Sequence, residues 1–256
     1  MEITPLSKNM EKWIRKLHQK KYRDEQETFM AEGMNALAGA REGSLYEVMS
    51  IVLEHAMIDE LGEALPGGIP LYSCTRKTME TLSTEKTSQG IVLVCRLRRF
   101  SLDVLSTGVP RVLMYCDRVS DPGNLGTIVR TARWFGLRQI ILSPFCVDHY
   151  NPKVIRSTAG TFFQTAFIAP VDHTELSRFA RENGYHLAAS VPRGGEPLQS
   201  LKKDGKYIFM MGNESEGLPQ TLIREAAVRI SINGGDDTES LNLGVAASII
   251  LYELLG

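Results

Sequence analysis

Three segments in the second half of the chain combine asparagine, arginine, glutamate and glycine where parallel sheets bind ligands. Each lies beside a predicted strand or helix. In parallel sheets, the loops that follow the carboxyl ends of the strands are where ligands bind. Taken singly, each has an ordinary structural interpretation: a β–α turn with a surface arginine, a turn before a helix, and a capped core helix. The residues are Asn124 and Arg130, then Gly212 and Glu214, then Ser240 and Asn242.

The chemistry open to these segments follows from their residue types. Asn124 lies just before, and Arg130 just inside, the predicted start of a helix, where the backbone dipole favours anions. Gly212 and Gly217 bracket a loop with two carboxylates, and glycine lets a ligand approach the backbone closely. The G-x-G-x-x-G pattern of dinucleotide-binding oxidoreductases is missing, as is the phosphate-binding G-x-x-x-x-G-K-[ST]. The sequence therefore argues against both of these nucleotide-binding classes.

Apolar runs and helical patterns alternate through this half and predict how the segments are held. Strands are predicted over 112–116, 139–142, 186–190, 207–211 and 228–232, with another inside 161–169. Helices are predicted over 127–135, 173–183, 220–227 and 241–255. This alternation predicts a mostly parallel sheet with crossover helices. Ser240 is expected to cap the final helix, with Asn242 facing outward from its first turn.

The first half predicts a smaller α/β unit. Its predicted strands cover 29–32, 46–53 and 91–95, and its predicted helices cover 8–21, 34–40, 55–61 and 79–83. Serine, threonine, glycine and proline gather over 100–110, which is typical of a domain boundary. The predicted domains are therefore 1–105 and 106–256.

Charge is unevenly distributed although the net charge is only −1. Residues 8–23 carry seven basic side chains and one acid, and four lysines recur every fourth residue from Lys8. Such a stripe either contacts nucleic-acid phosphates or is a solvated helix face, and the pattern does not separate the two. The candidate RNA contacts are Lys12, Lys16, Lys20 and Arg23.

Composition and cysteine spacing exclude several classes of protein. No apolar run reaches the ~18 residues that a membrane span needs, and residues 1–21 lack the apolar core of a secretory signal. The four cysteines, at 74, 95, 116 and 146, form no C-x-x-C pair, which argues against zinc and a disulfide framework. We expect free thiols, no metal, no membrane and a cytoplasmic location.

Together, the three segments resemble the SpoU-type RNA 2′-O-ribose methyltransferases of the SPOUT superfamily. The family motifs N-x-G-x-x-x-R, G-x-E-x-x-G-[L/I/M] and S-L-N match residues 124–130, 212–218 and 240–242 in order and context. Residues 15–33 and 88–92 resemble the ribosomal-protein-like substrate-binding domain that often precedes the catalytic domain. The family's I-P-M is Ile230-Ser231-Ile232 here, and the segment that follows is acidic and about two residues longer.

The resemblance implies a fold and an activity. The fold would be α/β with a C-terminal trefoil knot, preceded by the smaller ribosomal-protein-like domain, and the knot would form half of a homodimer interface. The cofactor would be S-adenosylmethionine, held mainly by backbone at Gly212, Ile230 and Leu241. The substrate would be a ribose 2′-hydroxyl in RNA, with ribosomal RNA favoured over transfer RNA. A non-catalytic RNA-binding protein on the same scaffold is the alternative.

The resemblance also implies catalytic roles. Arg130 would be the essential residue, as a proton acceptor, a phosphate clamp or a stabiliser of the developing alkoxide. A guanidinium holds its proton strongly, so the first role is chemically the least favourable. The remaining motif residues would orient Arg130 and the nucleotide, and they are Asn124, Glu214, Ser240 and Asn242.

Overall fold

The chain, seen in a computed structural model, divides into two compact units. The structure describes residues 2–41, 43–62, 65–105, 110–202, 204–234 and 239–256. The first unit comprises Met1–Arg98 and Tyr150–Gln164, and the second comprises Arg99–His149 and Thr165–Gly256. No helix within these ranges is both long enough and apolar enough to cross a bilayer.

The first unit is built on a five-stranded mixed sheet. Its strands are β1 (Ile3–Pro5), β2 (Thr28–Glu32), β3 (Val48–Glu54), β4 (Leu71–Cys74) and β5 (Ile91–Arg96), in the order β1-β4-β3-β5-β2. The β5 strand is antiparallel to both neighbours, and the other pairs are parallel. The helices are α1 (Lys8–Lys16), α2 (Lys20–Gln26), α3 (Met34–Arg41), α4 (His55–Leu61) and α5 (Arg76–Leu82). Short β1 and β4 were not predicted.

The single helix predicted over 8–21 is wrong, because the chain forms two helices with a break at 17–19. Gln19 is extended before α2, with φ −99° and ψ 131°. The Arg23 guanidinium donates to the carbonyls of Leu17 at 2.7 Å and His18 at 2.9 Å, which satisfies backbone groups that continued helix would have paired. The break is therefore stabilised by a side chain from the second helix.

A segment from the middle of the sequence completes the first unit. Helix α7 (Pro152–Ser157) lies in it, and Arg156 forms ion pairs with Glu32 at 3.0 Å and Glu85 at 2.6 Å. The ring of Phe162 stacks on Tyr46, with ring centroids 5.0 Å apart. The division into units thus assigns residues 150–164, predicted as part of the second domain, to the first unit. The domain boundary predicted after residue 105 stays a prediction.

The second unit has a seven-stranded, all-parallel sheet. Its strands are β6 (Val112–Cys116), β7 (Gln139–Leu142), β8 (Ala166–Ile168), β9 (His186–Ser190), β10 (Glu196–Pro197), β11 (Tyr207–Met211) and β12 (Val228–Ser231). Their order is β10-β12-β9-β11-β6-β7-β8. The helices are α6 (Pro122–Trp134), α8 (His173–Glu182), α9 (Gln220–Glu225) and α10 (Leu243–Leu255). The predicted α/β class with a mostly parallel sheet is confirmed.

The strands at the centre of this sheet are apolar because both of their faces are covered. All five residues of β6 and all five of β11 are buried. The described cysteines are free thiols, and burial raises the pKa of each. This agrees with the expectation of free thiols.

In the second unit, two of the predicted helices begin at other residues than expected, and both differences involve site residues. Helix α6 begins five residues early, at Pro122, because Asp121 caps it by accepting from the Asn124 N–H at 2.8 Å. Proline suits the first helical position, which needs no N–H donor. Asn124 therefore lies inside the first turn of the helix, and Arg130 lies somewhat less than two turns further along. Helix α10 begins two residues late, at Leu243.

Candidate active site

The first two motifs meet because their strands are neighbours in the sheet. Strands β6 and β11 are parallel and in register, with Cys116 opposite Met211. The Asp117 N–H continues the ladder by donating to the Met211 carbonyl at 2.7 Å. The loops that follow the two strands therefore leave the same edge of the sheet side by side, as ligand-binding loops of parallel sheets do.

Glu214 is the centre of the hydrogen bonding between these loops. Its carboxylate accepts from the backbone N–H groups of Ser120 at 3.2 Å and Asp121 at 3.0 Å. It also accepts from the Ser120 hydroxyl and from the Asn124 side-chain amide, each at 3.0 Å. Burial alone would raise the pKa of Glu214, but these donors outweigh it and lower the pKa to about 2. The carboxylate is therefore held ionised.

Asn124 joins the second motif to the third. Its side-chain amide donates to Glu214, and its side-chain oxygen accepts from the Asn242 amide at 2.9 Å. The Asn242 oxygen in turn accepts from the backbone N–H groups of Gly244 at 3.0 Å and Val245 at 3.3 Å. A continuous chain of hydrogen bonds thus runs from the first turn of α10 to the carboxylate of Glu214.

The expected roles of Ser240 and Asn242 are exchanged in the structure. Asn242, not Ser240, is the N-cap of α10, and its side chain points to Asn124 rather than outward. Ser240 is exposed two residues before the cap. Asparagine and serine cap helices about equally well, so the choice depends on the partner that Asn124 offers.

Arg130 is exposed on α6. Within the described ranges its guanidinium makes neither a hydrogen bond nor an ion pair. The side chain is therefore free to contact a bound anion. No described contact links it to Asn124 or Glu214, and its predicted catalytic role stays a prediction.

Sequence reasoning missed Arg118, which ties the same loops together from the other side. Its guanidinium contacts the Asp117 carboxylate at 3.0 Å, the Gly217 carbonyl at 3.2 Å and the Glu216 carboxylate. Hydrogen bonds to the two carboxylates raise the pKa of Arg118. His173 approaches the second oxygen of buried Asp117 at 2.8 Å. A charged pair directly after a buried strand was the available sequence signal.

The residues expected to hold the cofactor lie around one end of the sheet. Gly212 follows β11, and a Cβ there would lie 2.3 Å from the backbone of Gly217, so only glycine lets this loop fold back on itself. Ile230 is buried in β12. Strand β9 lies between β12 and β11 and pairs with both. Leu241 is 48% exposed beside the α10 cap, where its side chain is available to a ligand.

The departure from the family's I-P-M has a structural counterpart. The Ser231 hydroxyl donates to the Gly195 carbonyl at 3.0 Å, which joins β12 to the loop after β9. A Cβ at Gly195 would lie 2.5 Å from the Ile230 carbonyl carbon, so the two backbones are in direct contact. Serine therefore supplies a link at the position where the family has proline.

The four candidate RNA contacts of the first unit differ in exposure: three are exposed and one is buried. Lys12, Lys16 and Lys20 are exposed, the second near the Tyr22 ring and the third paired with Asp24 at 2.7 Å. Arg23 is only 2% exposed and bonds to backbone carbonyls. The prediction that Arg23 contacts RNA is wrong, because its guanidinium is buried in the break between α1 and α2.

The loops after β6 and β11 meet at one edge of a parallel sheet, around the backbone of Gly212 and the carboxylate of Glu214. This arrangement is typical of an α/β enzyme that binds its ligand at the carboxyl ends of the strands. Comparison with known proteins narrows this class. Residues 111–252 match the model of the SpoU rRNA Methylase family, and residues 9–93 match the MRM3-like substrate binding domain. The chain belongs to the SpoU rRNA methylase family, and the predicted membership is confirmed.

Individual relatives cover nearly the whole chain. The 23S rRNA (guanosine(2553)-2′-O)-methyltransferase RlmP of Bacillus subtilis is 30% identical, over 94% of this chain and 94% of its own. The 23S rRNA (guanosine-2′-O-)-methyltransferase RlmB of Coxiella burnetii is 25% identical over 87% and 93%. The AdoMet-bound rRNA methyltransferase of Sinorhizobium meliloti superposes with a TM-score of 0.85, at 31% identity over 99% and 97%. The protein is an S-adenosylmethionine-dependent RNA 2′-O-ribose methyltransferase.

Proposed function

We propose that the protein methylates the ribose 2′-hydroxyl of one nucleotide in ribosomal RNA. The observation that carries this proposal is the hydrogen-bonded chain from Asn242 through Asn124 to Glu214, which unites the three motifs in one site. Both relatives reported above whose names give a target act on guanosine of 23S rRNA. The 2′-hydroxyl itself is the group that distinguishes RNA from DNA.

Gly212, Ile230 and Leu241 fit the cofactor. S-adenosylmethionine, when bound, supplies an electrophilic methyl group on a sulfonium. Backbone at Gly212 and Ile230 would hold its adenosine, since glycine keeps the first loop close and Ser231 fixes the second. The exposed Leu241 side chain would cover it. Binding and aim are then the protein's main contributions to rate.

In the reaction the ribose 2′-oxygen would bond to the methyl carbon as the carbon–sulfur bond breaks, the sulfur would leave as the neutral thioether of S-adenosylhomocysteine, and the hydroxyl proton would pass to solvent water. We infer that Arg130 contacts the nucleotide, because its guanidinium is exposed and forms no hydrogen bond or ion pair with any described residue. A guanidinium retains its proton, so its best role is to bind the neighbouring phosphate or the developing negative charge. Asn124, Glu214 and Asn242 hold the loops in place, and Ser240 is free to contact the nucleotide.

We also propose that the second unit is knotted and that its last helix forms a homodimer interface. Helix α10 packs on α6, where the Ser248 and Thr131 hydroxyls are 3.0 Å apart. Its outer face leaves Val245, Ile249 and Tyr252 exposed at helical spacing. A continuous apolar surface of this kind marks an interaction site. The proposed interface is supported by this surface and by the resemblance.

The first unit would bind the RNA. The match to the MRM3-like substrate binding domain and the exposed lysines on α1 support this assignment. Phosphate contacts by lysine release counterions, so binding should weaken steeply with added salt. The predicted division after residue 105 remains our proposal for where this domain ends.

The decisive experiment uses purified protein, cofactor labelled in its methyl group, and RNA from a strain that lacks the gene. Ribosomal RNA, transfer RNA and DNA are tested separately, and the labelled nucleotide is mapped. We expect label on one ribose of ribosomal RNA. Label on transfer RNA alone would replace the substrate, and RNA binding without transfer would indicate a non-catalytic scaffold.

A further inference from the structure

Phe145 stands out in the loop that follows β7. Its side chain is 89% exposed, and its backbone has φ +69°, in the left-handed region. Glycine occupies this region readily and asparagine more often than other side chains do, whereas a bulky aromatic residue there is an outlier. Both the exposure of the ring and the backbone conformation disfavour phenylalanine at this position.

The loop of Phe145 belongs to the same sheet edge as the site. Strand β7 is parallel to β6, with Leu142 opposite Cys116. Ser143 accepts from the Arg118 N–H at 2.8 Å through its hydroxyl, and its own N–H donates to the Cys116 carbonyl at 2.9 Å. Arg118 is the residue that binds the Glu214 loop. Phe145 is thus two residues from a direct link to the loops of the first two motifs.

The second left-handed residue of this edge is Arg118 itself, with φ +52°. Unfavourable backbone conformations persist where the surroundings fix them, and they cluster at ligand sites. Arg118 has an evident structural role, since it contacts Asp117, Glu216 and Gly217. Phe145 has none of this kind: within the described ranges, no aromatic ring packs against it. Its ring is therefore exposed, and no other ring among the described residues packs on it.

We propose that Phe145 is a stacking surface for a nucleobase of the RNA substrate next to the methylated ribose. This inference rests on the proposed function. One ring is sufficient to stack a base, and every base offers a flat face to it. A protein partner would need a continuous apolar patch, but the residues on either side of Phe145 are half-buried. The isolated ring therefore fits a base better than a protein.

The test separates stacking from structural support by means of the backbone conformation. Asparagine accepts the left-handed region, so Phe145→Asn should raise the melting temperature by a few degrees. It should also raise KM for RNA about 5- to 100-fold, the range expected for the loss of one stacked base. The Kd for S-adenosylmethionine should stay unchanged. Phe145→Trp should restore KM to near the wild-type value.

The salt dependence of RNA binding gives a second readout. Stacking releases no counterions, so the slope of log Kd against log salt should be the same for Phe145→Asn and wild type. Val104→Asn removes another exposed apolar side chain of the same unit and serves as the control. It should leave KM for RNA unchanged.

Several results would overturn the inference. Unchanged KM in Phe145→Asn would show that no base stacks there. A lower melting temperature with weaker cofactor binding would make Phe145 a structural residue, and a changed sedimentation coefficient would make it a contact between copies. Failure of the proposed function is distinct, since wild-type protein would then transfer no methyl group to any RNA.

Discussion

Asn242 donates its side-chain amide to the side-chain oxygen of Asn124 at 2.9 Å, across 118 positions of sequence. Each asparagine uses its other polar atom as well: the Asn242 oxygen accepts from the α10 backbone, and the Asn124 amide donates to Glu214 in the loop after β11. An aspartate at 242 would place a carboxylate against the Asn124 oxygen, and an aspartate at 124 would place one against the Glu214 carboxylate. In both cases two hydrogen-bond acceptors would face each other. The two residues therefore act as one unit, with the cap of one helix fixing the orientation of a side chain on another.

Changing Asn242 to aspartate should separate helix capping from this contact. Aspartate caps as well as asparagine, so the free energy of unfolding should stay within about 1 kcal/mol of wild type. The donated bond to Asn124 is lost, and methyl transfer should fall at least tenfold. Asn242→Ala, which loses both functions, should lower both quantities. Equal activity of Asn242→Asp and wild type would remove the relay from the mechanism.

Glu214 should make stability depend on pH in acid. Its pKa of about 2 lies below the usual 4.5, so its stabilising bonds are complete above about pH 5 and are lost as pH falls toward 2. Glu214→Gln should abolish this contribution, which we put at about 1 kcal/mol given the partial exposure of the side chain. Urea unfolding at pH 6 and pH 3 measures it.

Glu216→Gln is the matched control for that measurement, because it removes a carboxylate from the same loop. If the wild type and Glu214→Gln lost equal stability between the two pH values, the carboxylate network would not be what fixes the loop.

Arg130→Ala should strongly lower turnover without disturbing the fold. The side chain is exposed and without described partners, so the melting temperature and the Kd for S-adenosylmethionine should not change. Methyl transfer should fall by ~10²-fold or more, the scale of losing one group that stabilises developing charge in the transition state. Arg133→Ala on the same helix is the control. Near-normal transfer by Arg130→Ala would contradict the assignment.

The basic residues of the first unit should divide into two groups. Lys12→Ala and Lys16→Ala should weaken RNA binding and reduce the salt slope by about 0.7 to 0.9 per lost phosphate contact, with no loss of stability. Arg23→Ala should instead lower the free energy of unfolding by about 1–3 kcal/mol, because the carbonyls of Leu17 and His18 lose their donor. The opposite division would restore Arg23 as an RNA contact.

The outer face of α10 should control the oligomeric state. Ile249→Glu places a charge in the proposed interface, so sedimentation should show a monomer where wild type is a dimer at micromolar concentration. Glu253→Gln on the same helix is the control. A monomeric wild type would exclude the homodimer.

The sequence predicted the strands of the second unit well because buried parallel strands are continuous apolar runs. It predicted the ends of helices less well. Asp121, Asn124, Ser240 and Asn242 are all good caps, and tertiary contacts decide which of them begin a helix. The burial of Arg23 was likewise out of reach, because arginine is ordinarily exposed and its partners are backbone carbonyls.

The segment Tyr150–Gln164 limits how the RNA-binding unit can be exchanged between related proteins by recombination. Phe162 in this segment fills an aromatic cluster with Phe29 and Tyr46, so the amino-terminal part alone would expose the cavity it leaves. A single recombination crossover near residue 100 would separate strands from the rings that pack on them. Exchange of RNA-binding modules between relatives therefore requires that this internal stretch travel with the amino-terminal half.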